Sequence, residues 1–439
     1  MLYAGALEVC ITPPLGLEMA GYGPNLGRFA TDIHDNLMAQ ALVIDDGTTQ
    51  VAIITSDLLG VTAEFTQLVR KEVARATQIP AGNIMVTASH PHTAVTVRPT
   101  YCWGGVDIPY MRMAARYMAG AVVAALAKCQ PVRISVGVGE HHWLAWNRIG
   151  NQTINPTAGV VRVDTENGDT IALFTYYSCH PVILGPKSVI SADYPGALRR
   201  FLKSKYPGSV VLFANGTCGD IDPVTNRDVW GKGTFEDVEN AGQRLGQDLF
   251  GIASSAAPVA DLQLHVGHGQ MQLGYEIPTL ESVRENIKLY ASALRKAKGI
   301  KEDFGAPSTS GEVQMPRFWL GYYRLMEKRL SESTHPPHEV DELQVITFGK
   351  DLALPAIPAE VYAAQGLSIS ANSPFKYTLP VCYANGSVGY LPPREEFDNG
   401  SYTAKISAAL HLQAPFKSDV AQVMLQATYR LLREVWEVS

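Results

Sequence analysis

No CxxC pair occurs in this sequence of 439 residues. Its six cysteines, Cys10, Cys102, Cys129, Cys179, Cys218 and Cys382, are scattered through apolar contexts. That argues against a zinc ribbon or a disulfide framework and points to reduced thiols in a cytoplasmic protein. Also missing is any basic block: 36 Lys and Arg stand against 42 Asp and Glu, a formal net charge of -6. Nucleic acids and anionic membranes require a cationic footprint, so neither is expected as a partner. No apolar run reaches the roughly 20 residues of a membrane span. The start, MLYAGALEVCITPPLG, has no basic n-region, so no secretory signal is expected either. Internal repeats and low-complexity tracts are absent as well. What is present, 46% hydrophobic and 18% charged residues with 38 Gly and 27 Pro, is the composition of a turn-rich globular domain large enough for an enzyme.

Read in order, the chain alternates short apolar runs with helical periodicity. Ala41–Ile44 and Val51–Thr55 flank an Asp-Asp-Gly turn and predict a hairpin. Ala63–Thr77 has helical spacing. Ile84–Thr93, IMVTASHPHT, reads as a buried strand that ends at Ser89 and delivers His90 and His92, with Pro91 between them preventing a helical continuation. A loop at Tyr101–Pro109 and an apolar helix at Met111–Lys128 follow. Strands are expected at Arg133–Val138, Gly159–Val163, Ile171–Tyr177 and Ser209–Ala214, and helices at Pro195–Ser204 and Phe235–Ala253. Two amphipathic, highly charged helices, Pro278–Lys298 and Phe318–Ser331, flank a Gly/Ser/Pro segment, Gly305–Gly311. This predicts a helical insertion at 276–335 inside one domain spanning 1–439, because strands resume at Leu343–Phe348, Asp351–Ala356 and Thr378–Ala384. A last helix, Ser418–Glu437, closes an α/β chain of mixed sheets flanked by helices.

One event recurs: an apolar strand ends in a polar group, at Asp57, at His90 with His92, at His180, at Asp220 with Asp222, at Glu360 and at Tyr390. Sites in α/β folds form beyond strand ends, where loops converge. Neutral imidazole binds Zn²⁺, Cu²⁺ or Fe²⁺ and moves protons near neutral pH. Two imidazoles and a carboxylate, His90, His180 and Glu360, form a metal set with room for a water. Glu360 can equally be a carboxylate favoured at a helix N-terminus, since EVYAAQG follows it, and Tyr390 can be a packed tyrosine with a satisfied hydroxyl. Asp57 and Asp220 suit supporting roles, and His34 a structural one. His141 and His142 are left open, while His265, His268, His335, His338 and His411 read as background.

Eight short motifs in one order, AGALEVCITP, SDLLG, TASHPHT, WNR, CHP, GDIDP, PAE and NGSVGY, resemble the catalytic domain of neutral/alkaline ceramidases, zinc amidases that cleave N-acyl-sphingosine. The resemblance runs from the N-terminus to about Tyr402, interrupted by the helical arm. It implies a ceramidase-like fold with Zn²⁺ on His90, His180 and Glu360, and Tyr390 approaching the metal. It further implies that His92 and Arg148 grip the substrate or the developing oxyanion. Three departures stand out. Asp222 occupies the position of the family's serine, which excludes a serine nucleophile there. The chain ends soon after the catalytic part, without the family's immunoglobulin-like domain. A secretory signal is also missing.

The resulting expectation is a cytoplasmic zinc-dependent amidohydrolase. It would use activated water on a linear or cyclic amide smaller or more polar than ceramide, with Asp222 or His92 as general base; Asp222 can alternatively cap a turn. A zinc esterase or lactonase, or a non-catalytic metal-bearing binding protein, are the alternatives. The arm's aromatic run, Phe318, Trp319, Tyr322 and Tyr323, would lid the pocket, form a contact in a homo-oligomer, or pack on the domain.

Overall fold

The computed structural model describes residues 2–22, 27–98, 104–259, 262–297 and 311–439. Cys102, residues 101–103 of the loop expected at 101–109, and residues 305–310 of the Gly/Ser/Pro segment lie outside the described residues.

Strict alternation of side chains builds the first sheet. Along Met38–Asp45, Ala41 and Val43 enter one apolar cluster, while Leu42 and Ile44 enter another on the opposite face. Both faces are therefore covered. The sheet runs Val210–Asn215, Thr170–Tyr177, Thr157–Thr165, Gln130–Glu140, Tyr3–Cys10, Met38–Asp45, Gln50–Ser56, Ile84–Ala88, with Ala257–Pro258 joined to Gln130–Glu140. Its outermost pairs are parallel, Val210–Asn215 beside Thr170–Tyr177 and Gln50–Ser56 beside Ile84–Ala88, and the pairs between them are antiparallel. The expected hairpin is there, with Ala41 opposite Ile54.

Helices Ala63–Ala74 and Ile108–Ala127 cover one part of the outer face, and Asp193–Lys205 with Phe235–Ser254 another. The close approach of helix to strand is set by Gly5, where a Cβ would lie 2.1 Å from the carbonyl oxygen of Ala125. The inner face meets a second sheet, Leu264–Gly274, His338–Phe348, Leu352–Ala356, Tyr377–Thr378. Helix Val420–Val438 packs on that sheet. The architecture is α/β, with mixed sheets flanked by helices.

Two sequence expectations need correction. The run Thr378–Ala384 pairs as a strand only at Tyr377–Thr378. Beyond Pro380 it crosses between the sheets. Val381 bridges to Ala356, the Cys382 amide donates to the Asn215 carbonyl at 3.0 Å, and Asn385 donates to the Val86 carbonyl at 2.7 Å. Positive φ at Tyr383 (53°) and Asn385 (62°) makes the turn that this crossing requires. The second correction is an omission: strand Leu264–Gly274 was not anticipated. It pairs along its whole length with His338–Phe348, so residues 276–335 sit between two hydrogen-bonded strands. Within that stretch, helices Leu280–Ala297 and Gly311–Ser331 pack on each other; Trp319 and Tyr323 stack on Tyr290, with ring centroids 5.9 and 5.8 Å away.

Among the described residues no helix is long and apolar enough to cross a membrane. Cys10, Cys129, Cys179, Cys218 and Cys382 are all unbridged thiols.

Candidate metal centre

The two ends of the first sheet curl toward each other, and this brings the polar strand ends together. Asn215, the last residue of its strand, donates to the carbonyls of Ser89 at 3.0 Å and Cys179 at 3.2 Å, the residues immediately before His90 and His180. Asp57 secures the same region: it takes the Ser89 hydroxyl at 2.9 Å and the Met38 amide at 2.8 Å, and it forms a bidentate ion pair with buried Arg199. The chain then turns sharply, with His90 at φ +72°. Glu360 and Tyr390 arrive from the second sheet's side as a parallel bridge in which the Glu360 amide donates to the Gly389 carbonyl at 2.9 Å.

His90, His92 and His180 are buried, and their ligand atoms all lie within 4.8 Å of one another. His90 Nδ1 bonds the Leu59 carbonyl and His180 Nδ1 the Ile221 carbonyl, the latter at 3.0 Å. A carbonyl only accepts, so both Nδ1 atoms carry hydrogen and both Nε2 atoms face the centre, where a bound cation would take the place of any proton on them. Buried His180 Nε2 has no hydrogen-bond partner. Glu360 Oε2 lies 3.8 Å from His90 Nε2 and 3.5 Å from His180 Nε2. Ligands on a tetrahedral Zn²⁺ at about 2.1 Å are themselves about 3.4 Å apart, so this donor set fits such an ion. His92 Nε2 is closer, 3.0 Å from His90 Nε2, and His92 Nδ1 is buried without a partner. The His90–His92–His180 group is thus a second set able to hold a cation.

Charge agrees with this geometry. Burial lowers the pKa of His90 to about 3. Burial also works against a charge on His180, but Cys218 and Glu360 beside it outweigh that and raise it to about 10. Burial would raise the Glu360 carboxyl, yet His180 and His90 beside it hold it well below the usual range.

Arg148 follows the short strand Ala145–Asn147. It donates from Nη2 to the Gly219 carbonyl at 2.7 Å and to the Tyr390 hydroxyl at 2.9 Å, and from Nη1 to Asp222 Oδ1 at 3.3 Å. Burial and Glu360 raise the Tyr390 pKa well above its ordinary value, so its hydroxyl keeps its proton. Asp220 accepts from Asn147 and from the Ala363 amide, at 2.7 and 2.8 Å, and stays outside the cluster.

The other histidines divide clearly. His34 is exposed and stacked on Phe235 at 3.9 Å; His141 pairs with Asp248 and His142 with Glu140. His411, read from sequence as background, instead lines the recess that opens on the cluster, together with Leu59, Gly60, His90, Arg98, Glu360, Tyr390, Ser407 and Leu410. The recess encloses about 360 Å³, its open mouth included. Tyr383 was also missed. Its ring stacks on His90 with centroids 4.1 Å apart, and its hydroxyl lies 3.5 Å from Glu360 Oε2 and 3.1 Å from Cys218 Sγ. HPH and CHP signal a site in the sequence; a tyrosine inside an apolar run gives no such sign.

No protein-family model matches the sequence. Among the solved structures that resemble the whole chain are two ceramidases. One is neutral ceramidase from Pseudomonas aeruginosa, with a TM-score of 0.76 and 17% identity over 100% of this chain and 75% of that one. The other is a ceramidase complexed with C2, with a TM-score of 0.76 and 16% identity over the same shares. The fold expected from the eight motifs is therefore the fold observed: this chain is built like a neutral ceramidase.

Proposed function

We propose that the protein is a zinc-dependent hydrolase of carbon–nitrogen amide bonds, acting in the cytoplasm on a substrate smaller or more polar than ceramide. The observation that carries this reading is the convergence of His90, His180 and Glu360 with the Arg148–Tyr390 pair beside them. His90, His180 and Glu360 hold the metal, with His92 next to them. A bound Zn²⁺ lowers the pKa of water to roughly 7 and polarises a carbonyl.

The remaining chemistry belongs to the chain. Tyr390 accepts from Arg148, which leaves its own proton to donate. Tyr390 and Arg148 together face negative charge developing on the amide oxygen, worth about 3 kcal/mol per well-placed donor. Asp222 holds the Arg148 guanidinium, so we assign it to positioning and give the proton transfers to His92. His92 takes a proton from the attacking water and returns it to the leaving amine, which departs as the C–N bond breaks. Since Asp222 stands where a serine would act, attack by water leaves no acyl-enzyme.

The test is direct. Purified protein should contain zinc, release amine from short N-acyl amines, stop under chelation and recover with Zn²⁺. Hydroxylamine added during turnover should trap no acyl species. Faster cleavage of matched esters would mark an esterase instead, and bound metal without hydrolysis across a broad amide panel would mark a binding protein.

A further inference from the structure

The segment that crosses between the sheets sets one side chain against two of the three proposed metal ligands. Tyr383 is buried, and its backbone lies in the left-handed region at φ 53°, a strained conformation for a bulky residue. Glycine would make the same turn without that strain, so what this position keeps is the side chain. Its backbone already ties the two halves of the centre. The Tyr383 amide donates to the Ala359 carbonyl at 3.3 Å, and its carbonyl accepts from the Ala88 amide at 3.2 Å. Ala359 directly precedes Glu360, and Ala88 ends the strand that delivers His90.

The side chain repeats this link on the ligands themselves. Its ring lies 19° from the plane of His90 with centroids 4.1 Å apart, and its hydroxyl donates to Glu360 Oε2 at 3.5 Å. Oε2 is also the oxygen nearest the Nε2 atoms of His90 and His180. A phenol has one proton, and a carboxylate oxygen only accepts. With that proton aimed at Glu360, the 3.1 Å contact between the Tyr383 hydroxyl and Cys218 Sγ is a bond donated by the thiol. Cys218 sits on the turn after Val210–Asn215, beside His180. Its carbonyl accepts from the Ile221 amide at 2.9 Å, and the Ile221 carbonyl in turn holds His180 Nδ1. One line of donors, Cys218 to Tyr383 to Glu360, therefore meets all three ligands.

We infer that Tyr383 is a positioning residue of the metal centre: its hydroxyl, aimed by the Cys218 thiol, fixes Glu360 Oε2 toward the imidazoles, and its ring fixes the plane of His90. Groups that orient ligands in this way govern metal affinity without touching the ion. The inference rests on the metal of the proposed function and not on the bond that is cleaved. The test uses the full-length protein, stripped of metal and titrated with Zn²⁺ against a chromophoric chelator, and the Co²⁺-loaded protein in visible absorption.

Tyr383→Phe keeps the ring on His90 and removes the hydroxyl; it should raise the Zn²⁺ Kd about tenfold and alter the Co²⁺ spectrum. Cys218→Ala should raise Kd about threefold, and Cys218→Ser, which retains a donor, should recover part of that loss. Circular dichroism of the metal-free variants shows whether each is folded, and if Tyr383→Phe is not, the two Cys218 variants decide. Parent-like Kd and spectrum in folded Tyr383→Phe, or in Cys218→Ala, would overturn the inference and leave the hydrolase reading standing. A Co²⁺–thiolate charge-transfer band that vanishes in Cys218→Ser would make the sulfur a ligand and overturn it too. Failure of the parent to bind zinc would defeat the inference together with the metal of the proposed function. Weakened binding in the variants of a protein that releases no amine would uphold Tyr383 and defeat the hydrolase reading alone.

Discussion

His90 has a left-handed backbone, and the non-glycine residues Tyr383 and Asn385 share that conformation beside it. Each such residue costs about 1–3 kcal/mol and persists where its surroundings over-determine it. Here the surroundings are named: Asn215 holds the carbonyl of Ser89, and Asp57 holds its hydroxyl. Replacing Asp57 with Ala leaves the Arg199 guanidinium buried without its carboxylate, and the expected loss is about 3–5 kcal/mol in a urea titration. Glu360 and Tyr390 are separable by what they touch. Glu360→Gln should lower zinc content and turnover together, by at least about 100-fold in metal affinity. Tyr390→Phe should leave zinc content unchanged and lower kcat by about 100-fold. Metal analysis beside steady-state kinetics distinguishes the two, and loss of zinc in Tyr390→Phe would place the hydroxyl among the ligands.

Strand ends with polar residues were legible because alternation and apolar runs mark strands strongly, and a histidine at the close of such a run stands out. Strand Leu264–Gly274 was not, and the reason is its glycines. A Cβ at Gly267 would lie 2.1 Å from Val435 Cγ2, and one at Gly269 would lie 3.3 Å from Leu431 Cδ2. These glycines let helix Val420–Val438 sit flat on the strand, but in sequence they read as a break. The neighbouring strand His338–Phe348 carries two adjacent acids, Asp341 and Glu342, whose fates differ. Arg70 and His268 hold Glu342 down at about 2 against its burial. Burial, with Glu339 and Glu342 adding to it, raises Asp341 to about 7. An unfolded aspartate titrates near 3.9. The native state therefore binds the extra proton between those values, and the stability that Asp341 contributes is full below about pH 4 and lost as pH rises through about 7. Asp341→Asn should accordingly gain about 1–3 °C in Tm relative to the parent at pH 8 compared with pH 5. Thermal unfolding at the two values decides it; a gain equal at both would remove the titration from the account.

At the scale of the whole molecule, the candidate site is where two sheets are tied together. His90 and His180 belong to the first sheet's strand ends, and Glu360 to the segment leaving the second sheet at Ala356. The crossing segment Cys382–Asn385 adds hydrogen bonds to Asn215 and Val86 along the same seam. Sequence could list the strand ends but not their adjacency, because the curl that joins Val210–Asn215 to Ile84–Ala88 depends on contacts more than 100 residues apart. Arg98 and Tyr383 were invisible for the same reason: each acquires its neighbours only when the seam closes. A cation bound to residues of both sheets would stabilise the folded state over the unfolded one, by about 2.7 kcal/mol when free zinc is 100 times its Kd. For a chain of 439 residues that corresponds to a Tm rise of about 3 °C. Metal-stripped protein titrated with Zn²⁺ in a thermal shift assay should climb by that amount. Glu360→Gln should need far more zinc for the same rise, while Tyr390→Phe should follow the parent curve. If zinc raised all three alike, or none, the ion would not be bridging the two sheets through Glu360.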